Sequence, residues 1–357
     1  MAHEPDISSR KLDHIELCAR EAVESRGKTT LLEELELLHD SLPEISWDDI
    51  DLSTTLMSRT LNAPLLITGM TGGAVAAEKI NRDLAAVAQE FGLAFGVGSQ
   101  RAILRDRTLA RTYQVRDVAP DILLLGNIGG VQAAAMSNTE AQDLVDLIGA
   151  DALCVHLNPG QELIQPEGDR DFRGVVDGIA RLVQELQVPV IVKETGCGLS
   201  LNALHRLKKS GITWVDTSGA GGTTWIGVET LRSAPEKRTI GEMFWDWGIP
   251  TAASVHWAVE AGFQTIASGG LRNGLDSAKA IALGARLAGM ALPWLKAAHE
   301  GGAKEAAAFA RTTIDALQTT CLLTGSASVE ELRQAPRIYG PNLERWMRPQ
   351  PYGVRKI

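Results

Sequence analysis

The stretch "ALCVHLNPGQELIQPEGDRDFRGVVDGIARLVQELQVPVIVKE" (residues 152–194) opens on one apolar run, "ALCVHLN" (152–158), and closes on another, "PVIVKE" (189–194). Between them, "FRGVVDGIARLVQEL" (172–186) is amphipathic and reads as a helix. Neither apolar run alternates with polar residues. Continuous apolar strands suit a parallel sheet covered on both faces. The linking "HLNPGQELIQPEGDRDF" (156–172) is no ordinary solvated loop. It sets out an imidazole, carboxamides and carboxylates directly after a buried strand, which is the composition of a site.

The same unit recurs in both directions from Pro64 onward. Further strands are expected at 64–70, 93–99, 122–127, 213–218, 264–270 and 286–292, and further helices at 76–91, 138–149 and 275–285. Eight strand units in about 230 residues predict a (β/α)8 TIM barrel, an α/β fold, rather than an open doubly wound sheet. The chain divides into an N-terminal segment (1–63), the barrel (64–331) and a C-terminal tail (332–357). In the first, "TTLLEELELLHD" (29–40) predicts a helix with Leu31, Leu35 and Leu38 near one face. The tail, rich in Pro, Arg and aromatics, reads as a packing extension or an oligomer contact.

The 357 residues carry a net charge of −9, which argues against general nucleic-acid binding but not against a small phosphorylated ligand. Cys18, Cys154, Cys197 and Cys321 form no C-x-x-C pair, so no zinc site or disulfide framework is expected. No membrane span or signal-peptide core is legible, and a cytoplasmic location is expected.

In such barrels the chemistry lies at the carboxyl ends of the strands. Those ends supply Met70, Thr71 and Gly72; Ser99, Gln100 and Arg101; Asn127; His156, Asn158, Gln161 and Glu162; Lys193 and Glu194; Asp216 and Ser218; Gly269, Gly270 and Arg272; Ala291 and Leu292. Glycines in "SGGLRNG" and "GMALP", after strands seven and eight, suit a phosphate held by backbone N–H groups with Arg272. "SGAGGTTW" (218–225) is a third glycine-rich loop. Lys193 ends a buried strand and needs an anion; a Schiff base, a flavin edge, or a structural pair with Glu194 or Glu162 would each serve. No nucleophile motif stands near His156. Glu162 offers one carboxylate to Mg²⁺, with phosphate oxygens completing the shell. Arg10, Lys11 and His14 form a small basic group near the N-terminus.

Together "RKLDH" (10–14), "MTGG" (70–73), "VGSQR" (97–101), "HLNPGQELIQPEGD" (156–169), "VKETGCGLS" (192–200), "GAGGTTW" (219–225), "DWGIPT" (246–251) and "GGLRNGLDSAKAIALGA" (269–285) resemble type 2 isopentenyl diphosphate isomerase, the flavin-dependent form. The likeness covers nearly the whole chain. An FMN-dependent 2-hydroxy-acid oxidase on the same barrel is the rival, but it needs a late histidine–arginine pair that is missing here. The resemblance implies a 1,3-allylic proton shift between isopentenyl and dimethylallyl diphosphate, using reduced FMN, Mg²⁺ and NADPH as reductant. It implies FMN contacts from Met70, Thr71, Gly72, Ser99, Asn127, Lys193, Ser218 and Thr223, with Gly270, Leu271, Arg272, Ala291 and Leu292 at the 5′-phosphate. Arg10, Lys11, Arg101, His156 and Asn158 would grip the diphosphate and Glu162 the Mg²⁺. Gln161, Trp225, Glu229 and His156 would serve the reacting carbons or proton relay. The segment bearing Arg10 and Lys11 is expected to act as a lid, and the chain to form a tetramer or octamer.

Overall fold

The computed structural model describes residues 7–348, with side chains from Arg10 onward. Eight parallel strands close into a barrel: β1 (Leu65–Ile67), β2 (Ala94–Gly96), β3 (Leu124–Gly129), β4 (Ala152–Leu157), β5 (Val190–Glu194), β6 (Trp214–Asp216), β7 (Gln264–Ser268) and β8 (Leu287–Met290). Each pairs with its sequence neighbours, and β8 closes on β1 through Leu66 opposite Gly289. All eight expected strands and the helices Val75–Phe91, Asn138–Ile148, Val175–Glu185 and Gly274–Ala282 are present.

The continuous apolar runs have a plain cause: both faces of every strand are buried. Leu65, Ile67, Phe95, Leu124, Val155, Val192 and Val215 pack outward under the helices. Leu66, Ala94, Leu125, Cys154, Ile191, Ile266 and Leu287 form a separate inner core. A short hairpin, Thr54–Leu56 with Arg59–Leu61, closes the lower end by adding Leu56 and Leu61 to that inner core. Two residues further along a strand the side chain returns to the same face. There the inner surface turns polar, from Leu125 to Asn127, Cys154 to His156, Ile191 to Lys193, Trp214 to Asp216 and Ile266 to Ser268. A polar layer thus rests on an apolar floor.

The expected helix at 29–40 does not form. Leu31 takes φ +58°, and Leu35–Leu37 is a strand paired antiparallel with Arg337–Tyr339 of the tail. Gly340 N–H donates to Glu34 O at 2.6 Å and extends the pairing. A contact some 300 residues away in sequence overrides local helix propensity. The described part of the tail is ordered packing: helix Pro341–Met347 sets Trp346 5.7 Å from Trp257. Residues 349–357 lie outside the described chain.

The N-terminal segment is stitched across the top. Ser25 N–H donates to Gly222 O at 2.8 Å, Thr224 N–H to Val23 O at 2.9 Å, and Ala252 N–H to Thr30 O at 2.9 Å. The helix before this strap, Ile7–Arg20, carries Arg10, Lys11, His14, Ile15 and Cys18 to the cavity at the barrel mouth.

Candidate active site

The cavity at the carboxyl ends of the strands encloses about 1530 Å³, counted out to its open mouth. Its wall carries the cations Arg10, Lys11, Arg101, Lys193 and Arg272 and a single carboxylate, Glu162. In a chain of net charge −9 this is a strong local inversion of sign. Of the residues given a role in the sequence, all line this wall except Gly72 and Glu229, and of the strand-end residues without one, Gln100, Glu194 and Asp216 lie behind it.

On one side are the glycine loops. Gly269 and Gly270 sit at φ +96° and +79°, and a Cβ on Gly222 would fall 2.3 Å from the Gly270 Cα. The two loops therefore interlock, and the glycines are needed for packing as well as for access. The backbone N–H groups of Gly270, Leu271, Ala291 and Leu292 find no protein acceptor among the described residues. Leu292 opens the helix Leu292–Leu323, so a helix dipole adds to this nest of donors. The Arg272 guanidinium is engaged by Glu24, with Nε donating to Oε1 at 2.9 Å. Gly72 faces away from the cavity: a Cβ there would lie 2.0 Å from the Tyr113 ring. The Tyr113 hydroxyl donates to Ser99 O at 2.7 Å, fixing the strand end from behind.

Lys193 is 7 % exposed. Its Nζ donates to Glu194 O at 2.8 Å and stands 3.8 Å from Asp216 Oδ2. The acid beside it is thus Asp216, not Glu194 or Glu162. Glu194 turns away, its Oε2 accepting the N–H groups of Thr195 at 2.6 Å and Gly196 at 2.7 Å and shaping that loop. The Thr71 hydroxyl, also on the wall, is buried without a partner. Ser218 takes φ +37°, an unusual conformation for a residue with a side chain.

Two hydrogen-bonded chains line the strand ends β3 and β4. Asn127 Nδ2 donates to Val97 O at 3.2 Å, which leaves its Oδ1 to accept from His156 Nδ1 at 2.8 Å. Burial, with Lys193, Lys11 and Arg101 near, pushes the His156 imidazole down to about 3. A neutral ring with its proton on Nδ1 follows. Asn158 Nδ2 donates to Gln161 Oε1 at 3.1 Å and to Glu162 Oε1 at 3.0 Å. The other Glu162 oxygen accepts from Asp169 N–H at 2.7 Å. Gln161 Nε2 donates to Glu229 Oε1 at 3.0 Å. Both ends of the Gln161 amide are thereby fixed.

Glu229 lies behind the wall and is fully buried. His14 Nε2 is 2.9 Å from its Oε1, and Arg232 Nη1 is 2.6 Å from its Oε2. Burial would raise this carboxyl, but the His14 hydrogen bond, the Arg232 charge and the Gln161 hydrogen bond outweigh it and hold it down, while burial pushes the His14 imidazole itself down. The Gln165 amide, turned to satisfy both its ends, donates to Glu229 Oε1 at 3.2 Å and accepts from Arg10 Nη1 at 2.9 Å. Trp225 meets the His14 ring edge-on at 5.0 Å.

Arg10 and Arg101 have loose acidic partners, Glu167 at 3.4 Å and Asp169 at 3.6 Å, and Arg10 Nε is buried without one. Lys11 has no partner among the described residues; burial, helped by Arg10, pushes its ammonium down to about 8. Sequence reasoning placed Gln165 in the polar stretch after β4 without giving it a role, and passed over Arg232 and Glu24 as site residues. For Arg232 the signal was available: it follows Glu229 by three residues on one helix.

Residues 169–338 match the family model for FMN-dependent dehydrogenases. Among solved structures, a putative lactate oxidase of Pediococcus acidilactici superposes with a TM-score of 0.68 at 16 % identity, covering 93 % of each chain. An Arg-to-Lys mutant of flavocytochrome b2 gives 0.68 at 14 %, covering 96 % of this chain and 86 % of that one. These likenesses show the fold alone. The isopentenyl-diphosphate delta-isomerase of a Synechococcus strain is 51 % identical over 84 % of this chain and 87 % of its own. That of Methanothermobacter thermautotrophicus is 44 % identical over 98 % of both chains. With relatives this similar over almost their whole length, the chain belongs to the isopentenyl-diphosphate delta-isomerase family.

Proposed function

We propose that this chain interconverts isopentenyl and dimethylallyl diphosphate by a 1,3-allylic proton shift at a bound, reduced FMN, with Mg²⁺ on the diphosphate. The observation that carries this reading is the wall of the cavity: five cations beside one carboxylate, with the glycine loops at one side.

The residues fit FMN. The unpaired N–H groups of Gly270, Leu271, Ala291 and Leu292 suit its 5′-phosphate, with Arg272 adjacent. The partnerless Thr71 hydroxyl, with Met70, Ser99, Asn127, Lys193, Ser218 and Thr223, suits the ring and its polar edge. They fit Mg²⁺ as well. No cluster of three metal-binding side chains exists among the described residues, so Glu162 would share the ion with phosphate oxygens and water. When bound and reduced, the isoalloxazine supplies an electron-rich surface able to stabilise positive charge and exchange a proton, with NADPH as its reductant.

The protein's own part is position and charge. Arg10, Lys11, Arg101 and Asn158 would hold the diphosphate, with His156 joining them once the anion brings a proton to its Nε2, offsetting the repulsion from the FMN phosphate. Gln161 would face the five-carbon chain, its amide clamped between Asn158 and the ionised Glu229. Gln161 would orient the reacting carbons or a relayed proton, and Glu229 would hold the amide in place from behind. Trp225 would cover the alkyl carbons and favour developing positive charge. Helix Ile7–Arg20 would act as the lid, closing water out once substrate is in place.

No helix among the described residues is long and apolar enough to cross a membrane. A cytoplasmic location and a homo-oligomer, tetramer or octamer, belong to the same reading.

The deciding experiment incubates the protein with isopentenyl diphosphate, FMN, Mg²⁺ and a trace of NADPH in deuterated water. Deuterated dimethylallyl diphosphate, with far less NADPH consumed than product formed, is expected. Stoichiometric NADPH consumption would instead assign an oxidoreductase.

A further inference from the structure

Three residues of the polar layer stand side by side across three adjacent strands. Lys193 on β5 pairs in register with Asp216 on β6, and Ser268 ends β7. All three are buried: 7 %, 1 % and 3 % exposed. Lys193 and Ser268 line the cavity, whereas Asp216 lies one layer beneath and does not.

The Asp216 carboxylate is held from behind. Its Oδ1 accepts from the Ser268 hydroxyl and from Ser218 N–H, the latter at 3.3 Å. Its Oδ2 faces Lys193 Nζ at 3.8 Å. That gap is longer than a hydrogen bond but well inside strong Coulomb range for a pair removed from water. One ammonium proton of Lys193 is committed to Glu194 O. The others remain for a ligand in the cavity. Ligand and Asp216 therefore draw on the same positive charge. Other groups facing the pair add little. Burial pushes the Cys154 thiol up to about 12, and the nearby His156 is neutral.

We propose that Asp216 is a positioning residue for Lys193: a buried counter-charge that sets how strongly the lysine ammonium pulls on a bound flavin ring. This rests on the FMN reading given above. Burial raises the Asp216 carboxyl, and the Lys193 charge, the Ser268 hydroxyl and Ser218 N–H oppose that rise; in its ionised form it would offset part of the ammonium field at the ring. Without that negative charge the full ammonium field would favour anionic states of the ring, at the expense of its basicity.

Sulfite binding to the oxidised flavin, followed by bleaching of its visible band, reads that field without turnover. Asp216→Asn should tighten sulfite binding at least tenfold, which corresponds to about 1.4 kcal/mol. FMN affinity should stay within threefold, because the phosphate loops are untouched. In a Lys193→Met background the same substitution should change sulfite affinity less than twofold, since the effect passes through the lysine. A purely structural role for Asp216 would not produce that dependence. If Asp216→Asn does not fold, Ser268→Ala, which loosens the hold on Oδ1, must shift sulfite affinity at least threefold in the same direction. Unchanged sulfite affinity in the variant that folds, or an equal effect with and without Lys193, overturns the proposal. Failure of the wild-type protein to bind FMN would remove the flavin reading itself.

Discussion

Lys11 gives the sharpest test of the diphosphate site. Its ammonium has no partner among the described residues, and burial and Arg10 push it down to about 8 from an ordinary value of 10.5. The sign follows directly. The folded, ligand-free protein binds this proton less tightly than the unfolded chain, so the charged form costs on the order of 2–3 kcal/mol below pH 8. That cost fades as pH rises from about 8 towards 10.5. A diphosphate beside Lys11 reverses the balance by giving the ammonium its missing partner. Between those pH values binding must then take up a proton. By linkage, affinity should fall about tenfold per pH unit above pH 8. At pH 9 nearly one proton should enter with each ligand. Calorimetric titration of isopentenyl diphosphate into the FMN–Mg²⁺ protein, repeated in two buffers of different ionisation enthalpy, counts that proton. Lys11→Met should bind more weakly at pH 7 and lose the alkaline slope. A slope that survives in Lys11→Met, or no proton uptake at pH 9, refutes the argument.

Other outcomes follow from the same geometry. Glu162→Gln should cost about 10²–10³ in turnover and weaken the Mg²⁺ dependence while FMN affinity holds, checked by flavin fluorescence beside initial rates. Gln161→Ala should leave FMN and diphosphate affinity intact and slow deuterium incorporation by about 10². Arg232→Met strips the buried Glu229 of a cation at 2.6 Å, and thermal or urea unfolding should show a loss of about 3 kcal/mol. Gly222→Ala places a Cβ 2.3 Å from the Gly270 Cα. It should abolish tight FMN binding while far-ultraviolet circular dichroism still reports a folded barrel.

The barrel was legible because burial on both strand faces leaves uninterrupted apolar runs, and no periodicity question arises. The site was legible for the same reason: once the inner face turns polar, as from Ile191 to Lys193, the change marks the mouth. What the sequence hid were partnerships set by tertiary packing. Nothing near "TTLLEELELLHD" announces a strand partner at Arg337–Tyr339. The neighbour Glu194 was the natural acid for Lys193, yet consecutive strand residues point to opposite faces, and the acid beside the lysine comes from the adjacent strand. Gly72 sits in a motif at the mouth but is fixed by Tyr113 rather than by the cavity. Lys11 and His14 were visible as charges; that one lacks a partner and the other anchors Glu229 is information only the fold supplies.

The strap of residues 23–30 anchors the carboxyl end of the helix before it. Thr29 and Thr30 press on Gly221 and Gly270, and Glu24 engages Arg272, so the anchored end sits over the glycine loops. Arg10 and Lys11 stand near its other end, where Arg10 meets Glu167 at 3.4 Å. If this helix is the proposed lid, its swing would break that loose pair, uncover the cation-rich chamber and leave the nest of N–H donors roofed. Traffic through the two halves of the cavity should differ accordingly: small diphosphates exchange with each helix swing, whereas an occupant of the roofed half stays for many cycles.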